Sequence, residues 1–172
     1  TAASRMCRRL ADGFNRRDTD EFLALVTADG RIEDRRRGLR AVHEGETRKE
    51  GVRALFESSP TSWRMEVDPI AIRGSRLSLT RERYRDSAIA DCPVTVDLLT
   101  VLELGNDGLV RETVDFDPND INGAIAELTA RWIASGEVAH PKIIEAQLRF
   151  GETANRHDWD AVANLNAGAT YV

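Results

Sequence analysis

Acidic side chains occur within the apolar segments of this chain, where their chemistry would differ from that of surface carboxylates. Burial among apolar groups disfavours the charged form, so it raises the pKa of a carboxyl group and suits it to proton transfer. Four acidic residues are candidates for this chemistry: Asp34 on the first predicted strand, Asp97 and Glu103 on the longest strand, and Asp115 on the strand after it. Alternation of side chains predicts that the last three share one face of the sheet.

Two of these carboxylates have a structural alternative. Glu103 is expected to pair with Arg111 across a hairpin, and Asp97 with Arg81 or Arg83 on the preceding strand. Ion pairs of this kind are ordinary in sheets, so the structural interpretation of both residues is preferred to a catalytic one.

The other two acids have alternatives of a different kind. Asp115 stands just before Asp117 and Pro118, so its role could be limited to starting the next helix. Asp34 follows Glu33 and precedes three consecutive arginines, which equally indicates the solvated end of a strand. An anion site at these arginines is the minority interpretation.

Two aromatic residues, Trp63 and Tyr84, are candidates for the mouth of a cavity, although core packing or a dimer interface is the commoner use of such side chains. The complete set that is predicted to line a pocket is Trp63, Arg81, Arg83, Tyr84, Asp97, Glu103 and Asp115. The histidines are scattered without the spacing of metal ligands, and the sequence has no Gly-rich phosphate loop. We therefore expect neither a metal nor a cofactor.

Hydrophobic periodicity supplies the elements that would position these residues. Helices are predicted over residues 3–17, over EFLALVTA, over RKEGVRALFESS after Thr47, and over residues 121–131. Strands are predicted over residues 31–34, 63–73, 76–86, 94–104 and 109–116, with a loop up to residue 45.

The turn Gly105-Asn106-Asp107-Gly108 joins the last two strands. If Gly108 is left-handed in a three-residue loop with a bulge, Glu103 faces Arg111 across the strands. The same register places Val101 opposite Thr113, and it groups the apolar residues Leu98, Leu102, Leu104, Val110, Val114 and Phe116. Replacing Gly108 by Val is expected to destabilise the domain.

The composition bounds the class of protein. A chain of 172 residues suits one domain, or one domain and a fragment. A net charge of -5 argues against general nucleic-acid binding, because phosphate contacts need a basic face. No apolar run approaches the roughly 18 residues of a membrane span, no signal peptide is visible, and the unpaired Cys7 and Cys92 suit a reducing compartment. A cytoplasmic protein without nucleic-acid or membrane partners is expected.

An internal similarity divides the chain. Residues 155–165 (NRHDWDAVANL) resemble residues 15–25 (NRRDTDEFLAL) at an offset of 140. Such a long offset is typical of a duplicated domain, so residues 1–135 are predicted to form one domain and residues 136–172 the opening helices of a second, truncated copy. Chance similarity is the alternative for so short a match.

The order of these elements predicts an α+β fold, in which a curved antiparallel sheet wraps around helices as a cone-shaped barrel. Four segments within residues 4–134 carry a resemblance to a known family: FNRRDTDEFLALVTAD, EGVRALFE, RLSLTRERYR and VLELGNDGLVRETVDFDPNDINGAIAELTARW. In this order they resemble the SnoaL-like branch of the nuclear transport factor 2-like superfamily, which also holds ketosteroid isomerases and polyketide cyclases.

That resemblance implies a cofactor-independent site, in which a buried Asp or Glu acts as general acid or base inside the cone. It makes Asp34 and Asp97 the candidate catalytic residues. No residues here match the Tyr–Asp pair of the isomerases, so the prediction leans away from an enzyme.

The preferred functional prediction is a small-molecule-binding or regulatory and dimerisation domain, part of a larger bacterial regulatory protein. The alternative is a cofactor-independent isomerase, cyclase or dehydratase that uses a pocket carboxylate on a hydrophobic small molecule. Self-association through the sheet is predicted because both faces of residues 94–104 carry apolar side chains. An unpaired carboxylate in a closed cavity would favour the enzyme, whereas Asp97 and Glu103 bound to arginines would favour the binding module.

Overall fold

The computed structural model describes residues 1–88 and 95–167, and the chain divides into two compact units, Thr1–Trp132 and Ile133–Val172. Cys92 and the first residue of the predicted strand at 94 lie outside the described residues. The helices are α1 (Ala2–Arg16), α2 (Thr19–Ala24), α3 (Gly45–Ser58), α4 (Ile121–Ala134), α5 (Pro141–Asn155) and α6 (Trp159–Ala167). The strands are β1 (Val26–Asp34), β2 (Ala41–Glu44), β3 (Trp63–Arg73), β4 (Leu77–Asp86), β5 (Thr95–Leu104) and β6 (Val110–Phe116).

These strands form one sheet in the order β2-β1-β6-β5-β4-β3. The predicted α+β fold with a curved sheet around helices is confirmed, but the sheet is open at β2 and β3 and is mixed rather than antiparallel. β1 runs parallel to β6, whereas the other neighbouring pairs are antiparallel. The parallel pair is possible because α3 and the β3–β4–β5 meander connect its two strands, and a parallel pair needs such a long crossover.

The segment between α2 and α3 differs most from its prediction. α2 ends before Leu25 and β1 begins at Val26, so the predicted helix EFLALVTA is too long and its last residues belong to the sheet. The predicted loop contains β2, which pairs with β1 so that Asp34 lies opposite Ala41. A strand of four residues carries too little alternation to be recognised in a sequence.

The β5–β6 hairpin turns at Gly108, whose φ of +80° is the predicted left-handed conformation. The predicted register of this hairpin is wrong by one residue. Glu103 lies opposite Glu112 rather than Arg111, and the pairs of residues 99–102 are shifted in the same way. Arg111 is the extra residue of the bulge, at the irregularity between Glu103 and Leu104. A shift of one residue exchanges the two faces of a strand, so Asp115 is turned away from the face that Glu103 occupies.

The two faces of β5 are buried by different helices. On one face, α1 contributes to a cluster formed by Met6, Cys7, Leu10, Leu102, Leu104 and Val110. On the other face, α4 contributes to a cluster formed by Leu99, Val101, Val114, Phe116, Ala124 and Leu128. Both apolar faces are therefore covered within one chain, which removes the reason for which self-association was predicted.

Hydrogen bonds from Arg131 link α4 to the sheet. Its guanidinium donates to Glu103 of β5 at 2.8 Å, to Glu112 of β6 at 2.8 and 2.9 Å, and to Glu127 of its own helix at 2.7 Å. The hydrogen bonds from Arg131, and then those from Arg31, lower the pKa of Glu112 to about 2. A network around one half-buried cation holds its geometry better than an isolated surface pair.

The second unit contains α5 and α6, joined by a turn that repeats the turn between α1 and α2. Arg17 and His157, which are 140 positions apart, adopt the left-handed conformation with φ of 61° and 58°. The next residue, Asp18 or Asp158, caps the following helix by accepting a backbone N–H three residues later, at 2.8 and 3.0 Å.

Candidate functional site

A cavity of about 260 Å³ lies on the face of the sheet that α1, α2 and α3 cover. Its wall is mostly apolar and includes Leu10, Phe22, Val26, Trp63, Leu98 and Leu102. Eight polar side chains also line it: Asp34, Arg36, Arg48, Glu82, Tyr84, Thr100, Thr113 and Asp115. Ligand pockets usually measure roughly 300–1,000 Å³, so this cavity suits a small ligand.

Glu82 lies in the middle of β4 and is 8% exposed. Its carboxyl group accepts a hydrogen bond from the Tyr84 hydroxyl at 3.4 Å and lies beside the hydroxyls of Thr100 and Thr80. Among the described residues, no cation forms an ion pair with it. Burial, and then the negative charge of Asp115, raises the pKa of Glu82 to about 8, so this group is mostly protonated at neutral pH.

Asp115 of β6 faces the same cavity and is also 8% exposed. The Thr100 hydroxyl donates to its Oδ1 at 2.9 Å. Burial raises the pKa of Asp115 to about 6, while the bond from Thr100 and the charges of Arg36 and Arg48 limit the rise. At neutral pH Asp115 is mostly ionised while Glu82 keeps its proton, so the two form a base and an acid side by side.

Tyr84 separates this pair from the apolar interior beneath α1. Its ring packs edge-to-face on Phe14, with the ring centroids 5.1 Å apart, and its hydroxyl donates to Glu82. Burial, and then the nearby carboxyl groups, raises the pKa of Tyr84 well above its usual value. Tyr84 therefore stays a neutral hydrogen-bond donor.

Asp34 and Arg36 form a hydrogen-bonded ion pair in the cavity wall. The guanidinium donates to both carboxylate oxygens, at 2.6 to 3.2 Å, and the Arg36 backbone N–H adds a bond of 3.0 Å. Burial acts to raise the pKa of Asp34, but the hydrogen bonds from Arg36 outweigh it and hold that pKa below its usual value. Asp34 is therefore a paired carboxylate rather than a proton carrier.

Arg48 reaches the cavity from α3 and is 6% exposed. Its Nη1 has no hydrogen-bond partner among the described residues. Burial lowers the pKa of Arg48 to about 10, which still leaves it protonated at neutral pH. Gly30 of β1 makes room for it, because a Cβ at that position would overlap the guanidinium.

Comparison with known proteins identifies this architecture. No protein-family model matches the sequence, and no curated protein is similar to it. Among solved structures, a proposed ketosteroid isomerase of Kribbella flavida is similar over 67% of this chain and 76% of its own, with 22% identity and a TM-score of 0.51. The chain has the nuclear transport factor 2-like fold.

Two further solved structures share the nuclear transport factor 2-like fold at lower identity. The epoxide hydrolase/cyclase-like enzyme SalBIII, which takes part in pyran ring formation in salinomycin, is 16% identical with a TM-score of 0.54 over 66% of this chain and 88% of its own. The Mycobacterium tuberculosis protein RV0760c is 15% identical with a TM-score of 0.55 over 70% and 94%. Identities this low show the fold alone.

The cone brings only some of the predicted site residues to its cavity. Those that line it are Asp34, Trp63, Tyr84 and Asp115. Four others, Arg81, Arg83, Asp97 and Glu103, do not line it, because they alternate with the cavity residues of β4 and β5 and point to the opposite face. The prediction that Asp115 shares a face with Asp97 and Glu103 is wrong, since the bulge at Arg111 shifts β6 by one residue.

The residues on the opposite face form structural pairs. Arg81 lies 3.3 Å from Asp97 and donates to the Pro118 carbonyl at 2.9 Å, although the Arg81 Nε and Asp97 Oδ1 atoms are not aligned for a hydrogen bond. Arg83 donates to Asp68 at 2.7 Å. Glu103 accepts from Arg111 at 2.7 Å, which is the predicted pair in spite of the shifted register.

Sequence reasoning missed Glu82 and Arg48, which have the most unusual environments in the cavity. A signal for Glu82 was present, because Thr80, Glu82 and Tyr84 alternate with arginines in LTRERYRD and so share one face of β4. No such signal exists for Arg48, since α3 carries several charged residues and its pattern does not mark one as buried.

Among the described residues there is neither a candidate metal site nor a candidate membrane-spanning helix. It contains no group of three or more His, Cys, Asp or Glu side chains placed to hold a metal ion. Among the same residues, no helix combines the length and the apolar character that crossing a membrane requires.

Proposed function

We propose that the cone cavity binds a small apolar molecule and transfers a proton within it, without a cofactor, in a reaction of the isomerase or cyclase type. The observation that carries the proposal is Glu82, a buried carboxyl group with no cationic partner in the described chain, next to Asp115. Two carboxyl groups whose environments separate their pKa values are the usual basis of acid–base assignments.

The roles follow from the protonation states at neutral pH. Asp115, with a pKa of about 6, removes a proton from the bound molecule, and Thr100 orients its carboxylate. Glu82, with a pKa of about 8, returns a proton at a second position, and Tyr84 supports it. The mostly apolar wall lowers the polarity around these groups, which strengthens their electrostatic effects.

The comparisons support a reaction of the isomerase or cyclase type, but they do not identify the residues that would carry it out. A proposed ketosteroid isomerase and an epoxide hydrolase/cyclase-like enzyme carry the same fold, and a shared fold is an analogy rather than an argument about chemistry. The proposal therefore depends on the Glu82 and Asp115 geometry and is tested on those residues.

Proton exchange on a simple ketone tests the proposal. The protein is incubated in D2O with 2-tetralone, a small apolar ketone, and loss of the proton next to the carbonyl is followed by NMR. We expect Asp115→Asn to lower the catalysed rate about 100-fold, because general-base catalysis contributes ~10²–10⁴-fold. Asp97→Asn, on the same sheet but outside the cavity, should leave the rate unchanged.

The pH dependence provides a second readout of the same experiment. The reaction needs Asp115 ionised and Glu82 protonated, so the rate should rise with pH near 6 and fall again near 8. If wild type is no faster than Asp115→Asn at any pH, Asp115 is not a base in this cavity and the proposal fails.

A ligand-binding module without catalysis is the second candidate function. Its support is that Asp97 and Glu103 both lie in pairs with arginines, as expected of a structural sheet face. Under this alternative small apolar ligands bind, but no variant of Asp115 or Glu82 changes the exchange rate. Membership of a larger regulatory protein and self-association through the sheet stay predictions.

We also propose that residues 136–172 are the opening helices of a second copy of the same domain. The support is the repeated turn at Arg17 and His157, together with its Asp cap. Phe150 corresponds to Leu10 at the offset of 140, yet it is 43% exposed where Leu10 is 6% exposed. In the first unit the sheet covers the corresponding side chain, Leu10.

A further inference from the structure

Arg48 is the cation of the cavity whose hydrogen bonds the described residues do not complete. The other guanidinium in the cavity wall, Arg36, is bound by Asp34 through its Nε and Nη2 atoms. Arg48 is more deeply buried, at 6% exposed, and no described residue forms a hydrogen bond with its Nη1. Burying a cation without hydrogen bonds costs several kcal/mol, so a group in this state is a candidate for binding.

The carboxylates whose charges act on Arg48 are already engaged by other groups. Its electrostatic neighbours are Asp115 and Glu112 of β6. Asp115 accepts a hydrogen bond from Thr100, and Glu112 is bound by Arg131 and Arg31. Neither carboxylate is hydrogen-bonded to Arg48, so neither completes its coordination.

Thr113 provides a second unsatisfied group in the same wall. It lies between Glu112 and Asp115 on β6, lines the cavity, and is 8% exposed. Its hydroxyl has no hydrogen-bond partner among the described residues. Among its described polar side chains, the cavity therefore offers two groups without a hydrogen-bond partner, the Arg48 guanidinium and the Thr113 hydroxyl, to a molecule that fills it.

The absence of a side chain at Gly30 leaves space for the Arg48 guanidinium. Gly30 lies where β1 passes the guanidinium, and any larger residue would overlap Nη1. A side chain that served only to solubilise α3 would point to water, as Arg53 of the same helix does at 47% side-chain exposure.

We propose that Arg48 binds the carboxylate of a small amphipathic acid whose apolar body fills the cone cavity. This inference rests on the proposed function, since it names the class of molecule on which the Asp115–Glu82 pair acts. A guanidinium matches a carboxylate with two parallel hydrogen bonds, whereas a neutral carbonyl would leave its charge uncompensated. Thr113 can donate a further hydrogen bond to the same carboxylate.

The size and charge of the cavity limit the ligand further. A volume of about 260 Å³ suits one or two fused rings rather than a long chain. Asp34 is neutralised by Arg36, and Glu82 is mostly uncharged at neutral pH, so Asp115 is the remaining negative group of the described wall. A ligand carboxylate can enter beside it while Asp115 stays ionised, because Arg48 supplies a positive charge at the same place.

A matched pair of probes tests this proposal on the full chain. Binding of 2-naphthoic acid and of 2-naphthamide, which have the same size but different charge, is measured by isothermal titration calorimetry at pH 7. We expect wild type to bind the acid at least tenfold more tightly than the amide. Arg48→Gln should abolish this preference while the affinity for the amide stays within about twofold, and Arg53→Gln should keep the wild-type preference.

Each outcome decides between the two proposals. If wild type binds both probes equally, or if Arg48→Gln loses the same factor for both, Arg48 has a structural role and the present inference is overturned. If wild type binds neither probe, the cavity does not take small apolar molecules, and the proposed function fails together with this inference. Measuring circular dichroism of both variants shows whether a loss of binding reflects a loss of fold.

Discussion

Glu82 should make the stability of the protein depend on pH. Its pKa rises from 4.5 to about 8 on folding, so between these values the folded state holds a proton that the unfolded state has lost. The free energy of unfolding therefore falls as pH rises through this window. Asp115 contributes in the same direction only up to about pH 6, so the interval from pH 6 to 8 isolates Glu82.

Replacement of Glu82 by Gln should remove this dependence. Two pH units correspond to at most roughly 3 kcal/mol, so we expect wild type to lose roughly 2–3 kcal/mol more than Glu82→Gln between pH 6 and pH 8. Urea unfolding at the two pH values measures the difference. Asp97→Asn serves as the control and should behave as wild type; equal slopes for wild type and Glu82→Gln would show that Glu82 ionises normally.

The β5–β6 hairpin is the element on which the position of Asp115 depends. Its turn needs a left-handed residue at position 108, and the bulge after it decides which side chains of β6 face the cavity. Had the register been the predicted one, Asp115 would lie on the face of β6 that α4 covers. The hairpin therefore positions the proposed base.

Two glycine-to-alanine substitutions, one in this hairpin and one in α3, test the effect of backbone conformation where the added methyl group meets no neighbour. A Cβ at Gly108 meets no atom within 4 Å, so Gly108→Ala should destabilise the protein by about 1–2 kcal/mol through its φ of +80° alone. Gly51 lies within α3 and also meets no atom, but there alanine is the better helix former.

We expect Gly51→Ala to stabilise the protein by up to about 1 kcal/mol. Urea unfolding of both variants measures the free energy of unfolding and shows whether Gly108→Ala lowers it while Gly51→Ala raises it. Two substitutions with the same sign would contradict the assigned turn geometry, and Gly108→Val should cost more than Gly108→Ala because a β-branched residue tolerates the left-handed region less well.

At the scale of the whole molecule, the buried clusters draw their residues from positions 3–132. The chain shortened to residues 1–135 should therefore fold alone, with a thermal midpoint within about 3 °C of the full chain. The described part of residues 136–172 contains two short helices and no strand, so this piece alone should show no cooperative transition. Circular dichroism melting of both pieces tests the proposed division, and a shortened chain that does not fold would refute it.

The sequence was informative wherever a local pattern was sufficient. It predicted the α+β order of elements, the left-handed Gly108 and the ion pair between Glu103 and Arg111. It failed at β2, because four residues carry little periodicity, and at the end of α2, because apolar residues of a helix and of a following strand look alike. The missing information in these cases concerns partners that are distant in the chain.

Alternation by itself determined which side chains share a face within one strand, so Thr80, Glu82 and Tyr84 belong together from the sequence alone. Only the tertiary structure decided which face encloses a cavity, because α1, α2 and α3 cover one side of the sheet and α4 the other. It also decided that Asp115 faces Glu82 rather than Asp97. The physical reason is that one bulged residue in a hairpin inverts a whole strand, whereas the residues themselves are unchanged.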